Sequence, residues 1–171
     1  MNASQLTNTP AYLFLVLLSL VAACNSSGSK KTDAQNVPPP VNEYPNVLLL
    51  DADGKQFSAK DLDGGGILIF FSSSCDHCQR EAKDIGQHLD GFKDYHLYFI
   101  ATDPFNEMEQ FANDYGVSGK SNISFLRTDG ASVTKALGSI NTPTILVYSH
   151  DKRLRARFDG ETSAVSIVEH L

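Results

Sequence analysis

Two cysteines in the segment Cys75-Asp76-His77-Cys78 are the residues of this chain best equipped for chemistry. They follow a continuously apolar, β-rich run, Ile67–Phe71 (ILIFF). They open a segment in which Cys78, Ala82, Ile85 and Leu89 share one helical face. A helix start offers unpaired N–H groups and the positive end of the helix dipole, and both favour an anion. A thiolate at Cys75 is therefore stabilised and its pKa lowered. The first turn brings the two sulfurs together, so they can close a small ring, and opening and closing that ring is thiol–disulfide exchange. Cys75, at the helix start and nearer solvent, is the expected attacking thiol. Cys78, one turn in on the apolar side, is the expected resolving thiol. Protonated His77 pushes the Cys75 pKa down and Asp76 pushes it up, and spacing leaves open which prevails.

Other readings of the pair are a metal site or a structural staple. A structural zinc needs four ligands, and no second cysteine pair exists, while His88, His96, His150 and His170 are scattered without ligand spacing. A copper- or zinc-binding module using Cys75, Cys78 and one histidine stays as an alternative. A ring this small constrains little of the unfolded chain, which disfavours a purely structural disulfide. The second feature is Ile140-Asn141-Thr142-Pro143-Thr144, just before the apolar run Thr144–Ser149 (TILVYS). Proline can open a strand but not sit in the middle of a central one. A cis Thr142–Pro143 bond would hold a sharp turn and leave the Thr142 backbone to pair with an extended substrate peptide. An ordinary trans loop proline is the other reading of the same residues.

These groups need a scaffold. Asn46–Asp51 reads as a strand, Asp53-Gly54 as a turn, and Lys55–Ser58 as its hairpin return. Gly64–Gly66 reads as a flexible loop, Ile67–Phe71 as a central strand buried on both faces, and a serine of Ser72–Ser74 as a helix cap. Tyr95–Ala101 is a second central strand, Pro104–Tyr115 a helix and Ala131–Leu137 a short helix. Thr144–Ser149 and Arg153–Phe158 are strands joined by a turn at His150-Asp151-Lys152, and Ser163–Leu171 is a terminal helix. The alternating arginines Arg153, Arg155 and Arg157 suit a solvated edge strand. Helices alternating with strands and closing on a hairpin predict an α/β sandwich around a mixed sheet.

The N-terminal region reads as an address. Residues 1–23 carry no charged side chain, and Ala11–Ala23 is apolar but shorter than the about 20 residues a membrane-spanning helix needs. The run ends in Val21-Ala22-Ala23-Cys24, which resembles the bacterial lipobox. That resemblance implies lipidation of Cys24, with residues 1–23 as a lipoprotein signal peptide. Asn25–Glu43, with its polar residues and Pro38-Pro39-Pro40 run, suits a flexible tether, so residues 24–43 are expected to link the anchor to a folded domain at 44–171.

The segments ILIFFSSSCDHCQREA, LYFIATD and INTPTILVYSHDKRLRARFDG resemble the TlpA/ResA branch of thioredoxin-like proteins over about residues 44–171. The resemblance implies a thioredoxin-like fold, here with an N-terminal β-hairpin extension. It implies a redox-active Cys75–Cys78 pair faced by a cis Pro143, with Thr142 beside it at the substrate-binding edge, and no cofactor. It further implies an exported, membrane-tethered enzyme in the cell envelope, its domain facing the periplasm or exterior. Such an enzyme exchanges disulfides of exported proteins, draws electrons from a membrane thiol donor, and could take apocytochrome c as a client. Glu81 matches an acid that some members carry near the active site. Partly desolvated beside Cys78, it could relay a proton; as a surface residue it would instead pair with Lys83 or Arg80. Ser74 stands where relatives commonly have Trp, and no proline lies between the cysteines, which changes the surface a partner meets.

Composition narrows the field further. Among 171 residues, 14 Lys and Arg against 20 Asp and Glu give a formal net charge of −6, a poor match for nucleic acid. With 42% hydrophobic residues the chain is not wholly disordered, and three cysteines are too few for a disulfide scaffold. A thiol peroxidase of the peroxiredoxin type would share the fold, but the sequence lacks a P-x-x-x-T-x-x-C arrangement around Cys75.

Overall fold

The computed structural model describes residues 41–171. The signal segment 1–23, Cys24 and most of the tether lie outside the described residues. Strands are β1 (Leu48–Leu50), β2 (Gln56–Ser58), β3 (Gly66–Phe70), β4 (His96–Ala101), β5 (Ile123–Arg127), β6 (Thr144–Tyr148) and β7 (Leu154–Asp159). Helices are α1 (Asp76–Gln87), α2 (Phe105–Asp114), α3 (Gly130–Leu137) and α4 (Ala164–Val168). One mixed sheet runs in the order β2-β1-β5-β4-β3-β6-β7. The β3–β4 and β4–β5 pairs are parallel, and β3–β6, β6–β7, β1–β5 and β1–β2 are antiparallel.

The central strand β3 is buried at every residue, which is why its sequence is continuously apolar rather than alternating. Its side chains still divide between two cores. Ile67 and Ile69 pack with Ala82 and Ile85 of α1, Met108 and Phe111 of α2, and Ile167 of α4. Leu68 and Phe70 pack on the other face with Tyr44, Leu49, Val133 of α3, and Leu146. The sheet is thus covered on both sides, the α/β sandwich that the sequence predicts.

Several boundaries differ from the sequence expectation. Gly66 is the first residue of β3 rather than loop: a Cβ there would sit 2.7 Å from Tyr44 Oη and 2.8 Å from Tyr98 Cε2, so only glycine fits. Strand β5 has no counterpart in the sequence reading. It is half-buried along most of its length and carries Ser124 and Arg127, so it lacks the apolar signature of β3 and β6. Helix α4 is shorter than Ser163–Leu171. Ser163 is its N-cap, and its end tightens through the bonds His170 N–H to Ile167 O and Leu171 N–H to Val168 O. The hairpin turn between β1 and β2 forms as expected, with Asp51 Oδ1 accepting from Asp53 N (3.1 Å) and Lys55 N (2.9 Å). Strand β7 lies at the sheet edge with its arginines exposed.

Candidate active site

The chain leaves β3 at Phe70, crosses Ser72–Ser74 and enters α1 through Cys75. Two contacts fix this crossing: Ser73 N–H donates to Asp103 Oδ2 (2.6 Å), and Gln79 Nε2 donates to Ser73 O (2.9 Å). No serine caps the helix. Cys75 itself is the N-cap, and its Sγ accepts from Cys78 N–H at 3.3 Å. The sulfur thus occupies the place where a serine or aspartate oxygen usually satisfies a helix's free amides.

The two thiols meet opposite surroundings. Partial burial pulls the Cys75 thiol up, but hydrogen bonds with the Cys78 side chain and backbone, with Thr142 and with the His77 backbone outweigh it and leave the thiol below its ordinary value. Cys78 is 2% exposed and belongs to the core around α1. Burial, then the hydrogen bond it shares with Cys75, push its thiol up to about 12, and the charges of Cys75 and Glu81 add to this. Both cysteines are free thiols.

The Thr142–Pro143 bond is cis. Thr142 O lies 3.6 Å from Cys75 Sγ, within reach of its S–H, and Pro143 O accepts from Gly160 N–H at 2.8 Å. The segment preceding β6 therefore faces the Cys75 sulfur, with Thr142 exposed and Pro143 buried.

Glu81 is 2% exposed and does not pair with Lys83 or Arg80. Its Oε2 accepts from Thr162 N–H at 2.9 Å. Burial raises its carboxyl to about 8 against the pull of that amide, and the nearby charges of Glu161 and Asp84 add to the rise. Asp76 and His77 are both exposed. His77 Nδ1 lies 2.7 Å from Glu161 Oε2 and 2.8 Å from Arg80 Nη2. Arg80 takes the same carboxylate in a fork, Nε to Oε1 at 2.9 Å and Nη2 to Oε2 at 2.6 Å. Glu161 is the site residue that sequence reasoning misses. It stands 84 positions from His77, in a Gly160–Ser163 loop whose composition carries no functional signal. Asp84 joins the same loop region, accepting from Ala164 N–H at 2.7 Å.

Residues 40–158 match the AhpC/TSA family. The chain belongs to the AhpC/TSA family. Among its relatives, the thiol-disulfide oxidoreductase ResA of Bacillus thuringiensis subsp. konkukian (strain 97-27) is 24% identical over 133 residues, spanning 75% of each chain. The fold is thioredoxin-like. A structure of MTB DsbF in mixed oxidised and reduced forms superposes with a TM-score of 0.60 at 22% identity, covering 73% of this chain and 92% of that one. A secreted Mycobacterium tuberculosis disulfide oxidoreductase homologous to E. coli DsbE gives 0.59 at 19% identity, covering 74% and 96%. In this AhpC/TSA chain, a strand end, a helix N-terminus and a proline-opened strand converge on one accessible sulfur. Among the described residues no group of three or more His, Cys, Asp or Glu side chains gathers as a metal site would require.

Proposed function

We propose that this chain is a thiol–disulfide oxidoreductase acting on other proteins through Cys75 and Cys78. The observation that carries the reading is the inequality of the two thiols across one helical turn: a half-exposed N-cap sulfur held below its ordinary pKa, and a buried one held far above. In the reducing direction the Cys75 thiolate attacks a substrate disulfide. One substrate sulfur leaves as a thiolate and takes up a proton, and a Cys75–substrate mixed disulfide forms. Cys78 then loses its proton, attacks Cys75 Sγ and expels the second substrate thiolate. Two electrons have passed to the substrate and the Cys75–Cys78 disulfide has formed. The reverse sequence oxidises a dithiol.

Two side groups support these steps. Glu81, raised to about 8 and acting electrostatically on Cys78, is the group suited to take the Cys78 proton and return it in the reverse direction. The segment at Thr142–Pro143 is suited to receive an extended substrate backbone beside Cys75. The named ResA relative supports the activity class. We further propose that the mature protein begins at lipidated Cys24, that residues 24–43 tether the domain at a membrane of the cell envelope, and that a membrane thiol donor recycles the disulfide. Apocytochrome c is one candidate client.

The test is reduction of insulin with a thiol donor. Cys75→Ser is expected to abolish it, and Cys78→Ser to accumulate a mixed disulfide at Cys75. Retained turnover in Cys75→Ser sinks the assignment, and rapid peroxide turnover by the wild-type protein would replace it with a thiol peroxidase. Incorporation of radiolabelled fatty acid, lost in Cys24→Ala, tests the anchor.

A further inference from the structure

We infer that Glu161 is a positioning residue for the thiol site, holding the His77 ring and the Arg80 guanidinium on the loop after β7 and so setting how much positive charge these two side chains present to Cys75. The inference rests on the oxidoreductase reading and deepens it. His77 lies between the two cysteines and Arg80 two residues beyond them, so both project from the first turns of the helix that Cys75 caps. One carboxylate takes both: the ring at 2.7 Å and the guanidinium at 2.9 and 2.6 Å. A two-pronged arginine contact of this kind fixes orientation as well as charge.

Three further bonds stop the loop from following its side chains away. Thr162 N–H is held by Glu81, Ala164 N–H by Asp84, and Gly160 N–H by Pro143 O. A groove lined by His77, Arg80, Glu81, Glu161 and Thr162 runs over the contact. The other charged groups around it are Asp76, Glu81 and Asp84 on α1, and Asp159 at the end of β7, which Arg157 occupies. Arg80 and Cys75 already interact through their charges, and the hydrogen bonds from Arg80 and then His77 hold the Glu161 carboxyl down at about 2. Glu161 therefore stays ionised wherever the thiols titrate.

Replacing it with the near-isosteric Gln keeps an acceptor but removes the charge. The expected result is a lower pH midpoint for iodoacetamide alkylation of Cys75 in the reduced full chain, located by mass spectrometry. On the acid side of the midpoint the rate should rise about two- to fivefold, the size expected of one exposed ion-pair partner, and the effect should shrink at high salt. In an H77A/R80A background the E161Q shift should vanish. An unmoved midpoint with a lowered melting temperature would show that Glu161 only ties the loop down. A full shift in the H77A/R80A background would show that it acts on Cys75 without His77 and Arg80. Either result overturns the inference. The alkylating probe needs no protein substrate, so failure of the oxidoreductase reading would appear separately, as absent insulin reduction with the midpoint shift intact.

Discussion

The rim around Cys75 and the pocket around Cys78 and Glu81 sit on the same helix, one turn apart, yet they treat ionisation in opposite ways. On the rim the sulfur is half-exposed, and donors converge on it: Cys78 N–H, the His77 backbone, and the Cys78 thiol. In the pocket, desolvation is the largest influence on both Cys78 and Glu81, and each is pushed toward its neutral form. Here the helix start directs the free Cys78 amide at the sulfur that caps it. The residue three positions on is buried more deeply, and the backbone hydrogen bond it has from Ser72 does not offset that burial. The contrast shows how two thiols separated by two residues can be given opposite proton affinities by one helical turn.

The strongest way to break this contrast is to compare the two thiols directly. Alkylation of the reduced protein at neutral pH is expected to label Cys75 at least about a hundredfold faster than Cys78, since each unit of pKa is a factor of ten in thiolate and Cys78 is also inaccessible. Peptide mapping of the adducts reads the ratio. Comparable labelling of both sulfurs would mean that burial does not separate them.

The pocket makes a second claim, about stability. Glu81 has a folded pKa of about 8, above the ordinary carboxylate value. Folding therefore favours its protonated form. That contribution is fully present below about pH 4 to 5, where the unfolded carboxyl is also protonated. It is lost progressively as pH rises toward about 8. Glu81→Gln removes the charge while its carbonyl oxygen can still accept from Thr162 N–H. The variant is expected to gain on the order of a few kcal/mol over wild type in urea unfolding at alkaline pH, with the gain disappearing in acid. The same variant should slow resolution of the mixed disulfide, since Cys78 loses the carboxylate that acts on it through its charge. A stability difference that does not change with pH would remove Glu81 from the pocket's electrostatics.

How much of this was legible beforehand follows the range of the interactions. The cysteine pair, the helix that carries it, β3, β6 and the Pro143 turn are written in local patterns: apolar runs, a 4-3-4 spacing, and a proline ahead of a strand. Strand β5 was not, because Ile123, Ser124 and Phe125 are only half-buried and owe their strand geometry to pairing with β4 rather than to composition. Burial of Glu81 was not legible either. A glutamate beside an arginine and a lysine reads equally well as surface, and only the Thr162 amide, 81 positions away, gives it a place inside. Glu161 is the extreme case, since its meaning lies wholly in side chains that the fold delivers to it. The N-cap falls on Cys75 and not on Ser72–Ser74 for a simpler reason: serines are ordinary capping residues and thiols are not, so composition points to the wrong neighbour.

The smallest test sets one carboxylate from each region against the other. Asp103 holds the rim through Ser73 N–H, and Asp84 holds the pocket's loop through Ala164 N–H. Each is a charge-assisted bond to a part-buried amide, so Asp103→Ala and Asp84→Ala should each cost about 1–2 kcal/mol in urea unfolding. Their chemical consequences should differ. Asp84 is one of the charges that raise Glu81, so its removal should shift the Glu81-dependent stability profile toward lower pH. Asp103 touches only the backbone of the crossing, so its removal should leave that profile in place while loosening the approach to Cys75. Equal pH shifts in the two variants would mean that rim and pocket are one electrostatic unit, and the division of labour between the thiols would then have to come from access alone.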